Sequence, residues 1–372
     1  MNSFTPDYTI LMGPGPSNVH PRVLNAMSKP IIGHLDPAFV GLMDEIKSLL
    51  RYAFQTENQL TFPVSAPGSA GMETCFVNLV EPGDKVIVCQ NGVFGGRMKE
   101  NVERSGGIAI MVEDRWGEAI SLAKVEQALA EHSDAKILAF VHAETSTGVR
   151  SDAEGLARLA QLHDCLTLMD CVTSLGGIPV LVDEWGIDAA YSGTQKCLSC
   201  PPGLSPVTFS ERAVSKIRER RTKVQSWFLD VSMVMNYWAE GQTARSYHHT
   251  APINAMYALH ESLVLLKEEG LEQAWARHAH THSQLREGLE ALGFEYLVTP
   301  DNRLPQLNAV RIPDPLKAEE AALRTRLLKD EKFEIGGGLG ALAGEIWRIG
   351  LMGHGASQGH VDACLKHLRA LV

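Results

Sequence analysis

Lys196 lies in the run Tyr191-Ser-Gly-Thr-Gln-Lys-Cys-Leu-Ser-Cys-Pro-Pro-Gly203, between the small-residue turn Ser192-Gly193-Thr194 and a Pro-Pro-Gly stop. Apolar, strand-like Ile187-Asp-Ala-Ala-Tyr191 leads into it. Small neighbours leave room for a flat group beside the amine. Partial desolvation lowers the pKa of such an amine toward its neutral, nucleophilic form. A Schiff-base lysine needs both, although the run alone also fits a structural lysine.

Twenty-six residues upstream, the apolar run Leu166-Thr-Leu-Met-Asp170 ends in a carboxylate. A buried acid at the end of a strand needs a partner, because an unpaired buried charge is costly. A protonated pyridine nitrogen would serve, and the ion pair would keep that ring an electron sink. Capping of the following turn is the other reading of Asp170. Together, Lys196 and Asp170 look like the centre of a pyridoxal phosphate (PLP) site.

The chain resembles the class V, fold-type I PLP-dependent aminotransferases, and within them the alanine–glyoxylate and serine–pyruvate aminotransferase family. The resemblance runs from Gly13-Pro-Gly-Pro-Ser-Asn18 to Trp347-Arg-Ile-Gly-Leu-Met-Gly353. Between these lie His142-Ala-Glu-Thr-Ser-Thr-Gly148, Ser192-Gly-Thr-Gln-Lys196, Tyr247-His-His-Thr250 and Gly336-Gly-Gly-Leu-Gly340. It implies that Lys196 holds the cofactor as a Schiff base and shuttles the substrate's Cα proton. It also implies that Asp170 pairs with the ring nitrogen, that Val172 packs under the ring and that Phe94 covers its other face. Tryptophan is frequent in the family where this chain has Phe94. Thr145 is expected to donate to the cofactor's phenolic oxygen, and Gln195 to help hold the phosphate.

A phosphate needs backbone N–H groups at a helix N-terminus. Ser65-Ala-Pro-Gly-Ser-Ala-Gly71 ahead of an apolar stretch fits that need through Gly68 and Ser69. Pro67 stands where the family usually has Ser or Thr, and it supplies neither hydroxyl nor N–H. Tyr247 and Thr250 match family residues that reach the phosphate of the neighbouring subunit, which implies a homodimer with shared sites. The intervening His248-His249 pair, on an extended segment, should point in opposite directions. Arg348, inside the apolar strand Ile346-Trp-Arg-Ile-Gly-Leu351, is the expected carboxylate handle of the substrate.

At 372 residues the chain is long for one core, so two domains are expected. A net charge of −10 argues against a nucleic-acid or anionic-membrane face. The mixed run Arg218-Glu-Arg-Arg-Thr-Lys223 reads as a solvated helix face. No apolar run approaches the roughly 20 residues needed to cross a bilayer, and the first residues lack the pattern of a secretory signal. Seven cysteines without a framework spacing fit a reducing cytoplasm. Cys197 and Cys200 form one C-x-x-C, but no second pair accompanies it. His278, His280 and His282 lack a matching carboxylate or cysteine, so no metal site is expected and a polar surface helix is the reading.

The elements that must carry these residues follow from periodicity. Strand-like Lys85–Cys89, Ile108–Val112, Lys136–Val141, Leu166–Met169 and Pro206–Phe209 alternate with helical stretches such as Ser121–Ala130. Alternation of this kind implies an α/β fold with a mostly parallel sheet covered by helices on both faces. The resemblance makes it a seven-stranded sheet. The expected division is an arm over 1–20 reaching the partner subunit, a large domain over 21–255, and a small α+β domain over 256–372. The small domain starts with a long helix interrupted at Gly270 and contains strands Phe294–Val298, Ala309–Ile312 and Glu345–Ile349.

The function implied is transfer of an amino group from alanine or serine to glyoxylate or pyruvate in two half-reactions. A lyase of the cysteine desulfurase type is the alternative on this fold. It calls for His where Gln195 stands and for a mobile cysteine near the C-terminus, whereas Cys364 lies in a predicted helix. A non-catalytic subunit would not need Lys196, Asp170 and Arg348 together.

Overall fold

A computed structural model describes residues 1, 3–239 and 245–372. Its strands, in chain order, are β1 (Ile10–Met12), β2 (Leu60–Val64), β3 (Lys85–Gln90), β4 (Ile108–Glu113), β5 (Ile137–Val141), β6 (Ala143–Glu144), β7 (Val149–Arg150), β8 (Leu166–Asp170), β9 (Ala189–Tyr191), β10 (Ser205–Phe209), β11 (Leu307–Arg311), β12 (Phe333–Gly337) and β13 (Ile346–Gly350). Seven of them form one sheet in the order β2-β10-β9-β8-β5-β3-β4. Strands β9, β8, β5, β3 and β4 run parallel, and β10 runs antiparallel to both its neighbours. Every residue of β5 and β8 is buried, as expected of central strands covered on both faces. Strand β2 was not legible in the sequence because Pro63 interrupts its apolar run. The proline is tolerated because β2 is an edge strand.

The helix Gly68–Leu79 packs directly on this sheet. Gly71 allows the approach, since a Cβ there would overlap the Ser205 hydroxyl and lie 3.4 Å from the Tyr191 Cβ. At the far end of the helix, Arg220 Nη1 donates to the carbonyls of Asn78 and Val80, both at 2.9 Å. The run 218–223 is therefore no solvated helix face: its helix ends at Arg218, and Arg220 closes the end of another.

A second sheet, in the order β1-β12-β13-β11, carries a separate core around Met12, Leu285, Phe294, Phe333 and Trp347. Residues 3–19 contain no helix, and strand β1 within them pairs parallel with β12, Ile10 opposite Phe333. The helix Ile253–Glu269 buries its apolar face in the larger core, and Gly270, at φ +88°, separates it from the helix Leu271–Ala291. Phe294–Val298 does not form the expected strand. Only Tyr296 bridges, to Val310, flanked by hydrogen bonds from Arg311 N–H to the Glu295 carbonyl (2.7 Å) and from Leu297 N–H to the Ala309 carbonyl (3.0 Å), and the chain bends away at residues 297–298. His278 does not lie on a polar surface: it is fully buried, its Nδ1 donating to the Ala274 carbonyl (2.6 Å) and its Nε2 accepting from Gly353 N–H (2.9 Å). Among the described residues no helix is long and apolar enough to cross a membrane.

Trp347 is fully buried in the second core. Trp347→Ala should lower the unfolding free energy by about 3–5 kcal/mol, read from urea denaturation. A loss below about 1 kcal/mol would show that this core does not close around the indole.

Candidate active site

The carboxyl ends of β5, β8 and β9 converge, and ligands of open parallel sheets bind at such ends. Strand β9 runs into the turn bearing Lys196, whose backbone is pinned from two sides. Ser17 N–H donates to the Gln195 carbonyl (2.9 Å), and Ser17 Oγ to that of Lys196 (2.8 Å). The Thr194 hydroxyl closes the turn on the Pro201 carbonyl (2.8 Å). Lys196 Nζ donates to the Pro14 carbonyl. The next residue, Gly15, has φ +108°, and a Cβ on it would come 2.6 Å from the amine. Burial, reinforced by the nearby positive charge of Arg348, pushes the Lys196 amine down to about 8. About a tenth is then neutral near pH 7, far more than for an ordinary lysine.

Asp170 is buried at the end of β8. It accepts from the hydroxyl of Tyr191 (2.7 Å), its register partner on β9, and from Val172 N–H (2.8 Å). The second contact is the turn-capping role that sequence allowed, so Asp170 does cap. Burial nevertheless outweighs both bonds and pushes its carboxyl up to about 6, and among the described residues it makes no salt bridge.

One cavity of about 210 Å³ is lined by Lys196, Asp170, Gly68, Ser69, Phe94, Thr145, Val172 and Gln195, with Met72, Arg97, Val141, Ala143 and Tyr191. All eight of the first group were singled out from sequence. The helix Gly68–Leu79 points its N-terminus here, and its N-cap Pro67 makes no side-chain cap, leaving the first N–H groups for a ligand. The Gln195 side-chain oxygen is buried without a partner.

Thr145 follows β6, its hydroxyl 2.5 Å from that of Thr173. Beside it the buried Glu144 accepts from Ser146 Oγ (2.5 Å) and N–H (3.0 Å) and from Phe94 N–H (3.2 Å). It thereby ties the start of the helix Val93–Arg104, and so the Phe94 ring, to the floor of the site. Burial pushes Glu144 up to about 7 against those bonds. Arg348, buried on β13, donates from Nε to the Gly337 carbonyl (2.8 Å) and from Nη1 to that of Thr145 (3.2 Å). It does not line the cavity itself but is held to its wall through Thr145. Burial pushes it down to about 10.

Tyr247 and Thr250 are exposed and do not join this cavity within one chain. His248 and His249 do not diverge as expected. The chain bends at His249, and their Nδ1 atoms lie 2.8 Å apart, while His249 Nε2 reaches Ser65 Oγ at 2.7 Å. Sequence reasoning missed Tyr191, Glu144 and Arg97. Tyr191 becomes findable once β8 and β9 are known neighbours, and Arg97 lies one helical turn beyond Phe94.

An acid at the end of β8 and a lysine in the turn after its neighbour β9, beside an uncapped helix N-terminus, are the arrangement of a fold-type I PLP enzyme. A profile of the class-V aminotransferases matches residues 10–338, and the chain belongs to that family. It is 41% identical to the alanine–glyoxylate aminotransferase of Rattus norvegicus over 97% of this chain and 86% of that protein. It is 36% identical to the (S)-ureidoglycine–glyoxylate transaminase of Bacillus subtilis (strain 168), over 99% and 91%. The solved alanine–glyoxylate aminotransferase from Nostoc sp. superposes with a TM-score of 0.96 at 47% identity, covering 100% of this chain and 97% of that one. The protein is a PLP-dependent transaminase of small substrates.

Glu144 gives a test independent of catalysis. Its folded-state pKa, about 7, lies above the ordinary 4.5. Between these values the folded protein binds more protons than the unfolded chain, so this group's contribution to stability falls as pH rises. The unfolding free energy of the wild type relative to Glu144→Gln should decline across that window. A constant difference would mean the carboxyl titrates normally.

Proposed function

We propose that the enzyme moves an amino group from alanine or serine to glyoxylate or pyruvate. The observation that carries this reading is the meeting of Lys196 and Asp170 in one cavity of about 210 Å³, a volume suited to a ring and a small side chain. The names of the relatives support glyoxylate as acceptor. The residues present fit PLP. Asp170 is a buried acid short of a cation, the helix end at Gly68 has free N–H groups, and Lys196 is a low-pKa amine.

When bound, PLP supplies an electron sink that stabilises negative charge at the substrate's Cα. Lys196 takes the proton from that carbon and returns it, its depressed pKa keeping the amine available as a base. Asp170 holds the proton on the pyridine nitrogen, and Tyr191 and Val172 N–H fix the direction of its carboxylate. Phe94 and Val172 would cover the cofactor's ring and exclude water, and the Thr145 hydroxyl would be the donor for its phenolic oxygen. Gly68, Ser69 and Gln195 would hold its phosphate at the helix N-terminus. Arg348 binds the substrate carboxylate bidentately. The desulfurase alternative lacks its nucleophile: Cys364 is buried in the helix Gln358–Arg369, and burial pushes its thiol well up.

Exposure of Tyr247 and Thr250 in the lone chain supports their reaching the phosphate of a second subunit, so the working form is a homodimer. We place the enzyme in the cytoplasm on the strength of its cysteine usage.

In a panel of donors and acceptors, alanine with glyoxylate should outpace glutamate with 2-oxoglutarate, whose extra carboxylate would be desolvated unpaired. The reverse order would overturn the substrate assignment. Lys196→Ala should abolish turnover with circular dichroism unchanged. Tyr247→Phe should weaken PLP retention in gel filtration. A monomer that keeps PLP and turns over would remove the shared-site reading.

A further inference from the structure

Pro67 leaves the phosphate end of the site one donor short, and the next helix along offers a replacement. The helix Val93–Arg104 is seated on the end of β3 at Gly95, where a Cβ would come 2.5 Å from the Cys89 carbonyl. Its first turn is tied down by Glu144 and Ser146 through the N–H groups of Phe94 and Val93. Arg97, one turn beyond Phe94, is thereby brought to the cavity wall. Its guanidinium carbon lies 5.0 Å from the centroid of the Phe94 ring, and its Nη1 donates to Ser69 Oγ at 3.2 Å, beside the uncapped end of the helix Gly68–Leu79.

Among the described residues Arg97 makes no salt bridge, its charge reaching the buried Asp170 only at longer range. Of the residues lining the cavity, only Lys196 and Arg97 are cationic, and Lys196 is reserved for the chemistry. Gly68 and Ser69 supply partial charges from N–H groups. The phosphate carries about −1.5 to −2 near neutral pH. A guanidinium with remaining N–H donors next to that helix end is the group able to match it.

Resting on the PLP reading above, we propose that Arg97 is a cofactor-holding residue: its guanidinium, over the Phe94 ring, takes a phosphate oxygen of PLP at the start of the helix Gly68–Leu79. It does so in place of the hydroxyl that Pro67 lacks. Arg97 then also clamps Phe94 over the cofactor through the cation–π contact.

Equilibrium dialysis of the purified full-length enzyme with PLP and with pyridoxal, which has no phosphate, tests the assignment. Arg97→Ala should weaken PLP roughly tenfold to a hundredfold and pyridoxal far less. Arg97→Lys, which keeps the charge without the fork, should recover part of the loss. The ³¹P resonance of PLP bound to the wild type should hold its dianion position as pH is lowered, and that of Arg97→Ala should shift toward the monoanion. Equal weakening of PLP and pyridoxal would overturn the proposal in favour of ring stacking alone. Unchanged PLP affinity with a raised KM for the 2-oxo acid would overturn it in favour of a substrate role. If the wild type itself bound no PLP, the reading of the whole site would fall, an outcome distinct from the other two.

Discussion

Burying Asp170 without a full positive partner is the constraint around which the site is arranged. A carboxylate at the end of a central strand, covered on both faces, is stable only if neighbouring strand ends supply donors. The order β5-β8-β9 places Tyr191 directly opposite it and carries the chain from Tyr191 into the turn bearing Lys196. The partial satisfaction of Asp170 leaves it receptive to a cation. The same burial that raises the acid lowers the lysine. One low-dielectric pocket thus tunes an acid and a base in opposite directions.

A second buried acid organises the opposite wall. Glu144 accepts from the N–H and hydroxyl of Ser146 in the loop after it and from the N–H of Phe94, so the Phe94 ring and the strand-end loop share one anchor. Arg348 is held one residue further along, through the Thr145 carbonyl, and the two opposite charges sense each other across that residue. Arg348, on the smaller sheet, and Phe94, in the helix that follows β3 of the larger sheet, are placed relative to each other by this loop.

The residues that meet in the cavity are legible in the sequence because their neighbours are informative. Small residues flank Lys196, an apolar strand precedes Asp170, and a Gly-rich segment opens the helix at Gly68. What stayed hidden depends on pairing between segments distant in sequence. Tyr191 is an apolar-run residue until β9 is set beside β8. Arg220 is one charge in a mixed run until it meets the carbonyls of Asn78 and Val80. His278 has the pattern of a surface helix yet is fully buried, its Nε2 accepting the Gly353 N–H. Strand β2 contradicts local propensity at Pro63, which an edge position permits. Phe294–Val298 has strand propensity but only one partner to satisfy it.

The first twenty residues cross between the two cores. Strand β1 is stitched into the smaller sheet at Phe333–Ile335, and Pro14 and Ser17, a few residues on, bind the amine and the backbone of the lysine turn. The leading segment is therefore a tether that joins the smaller sheet to the Lys196 amine and its turn. In directed evolution or fusion design, changes near Ile10, remote from the cavity in sequence, are active-site changes. Libraries that spare only the residues lining the cavity would leave this control point open to damage.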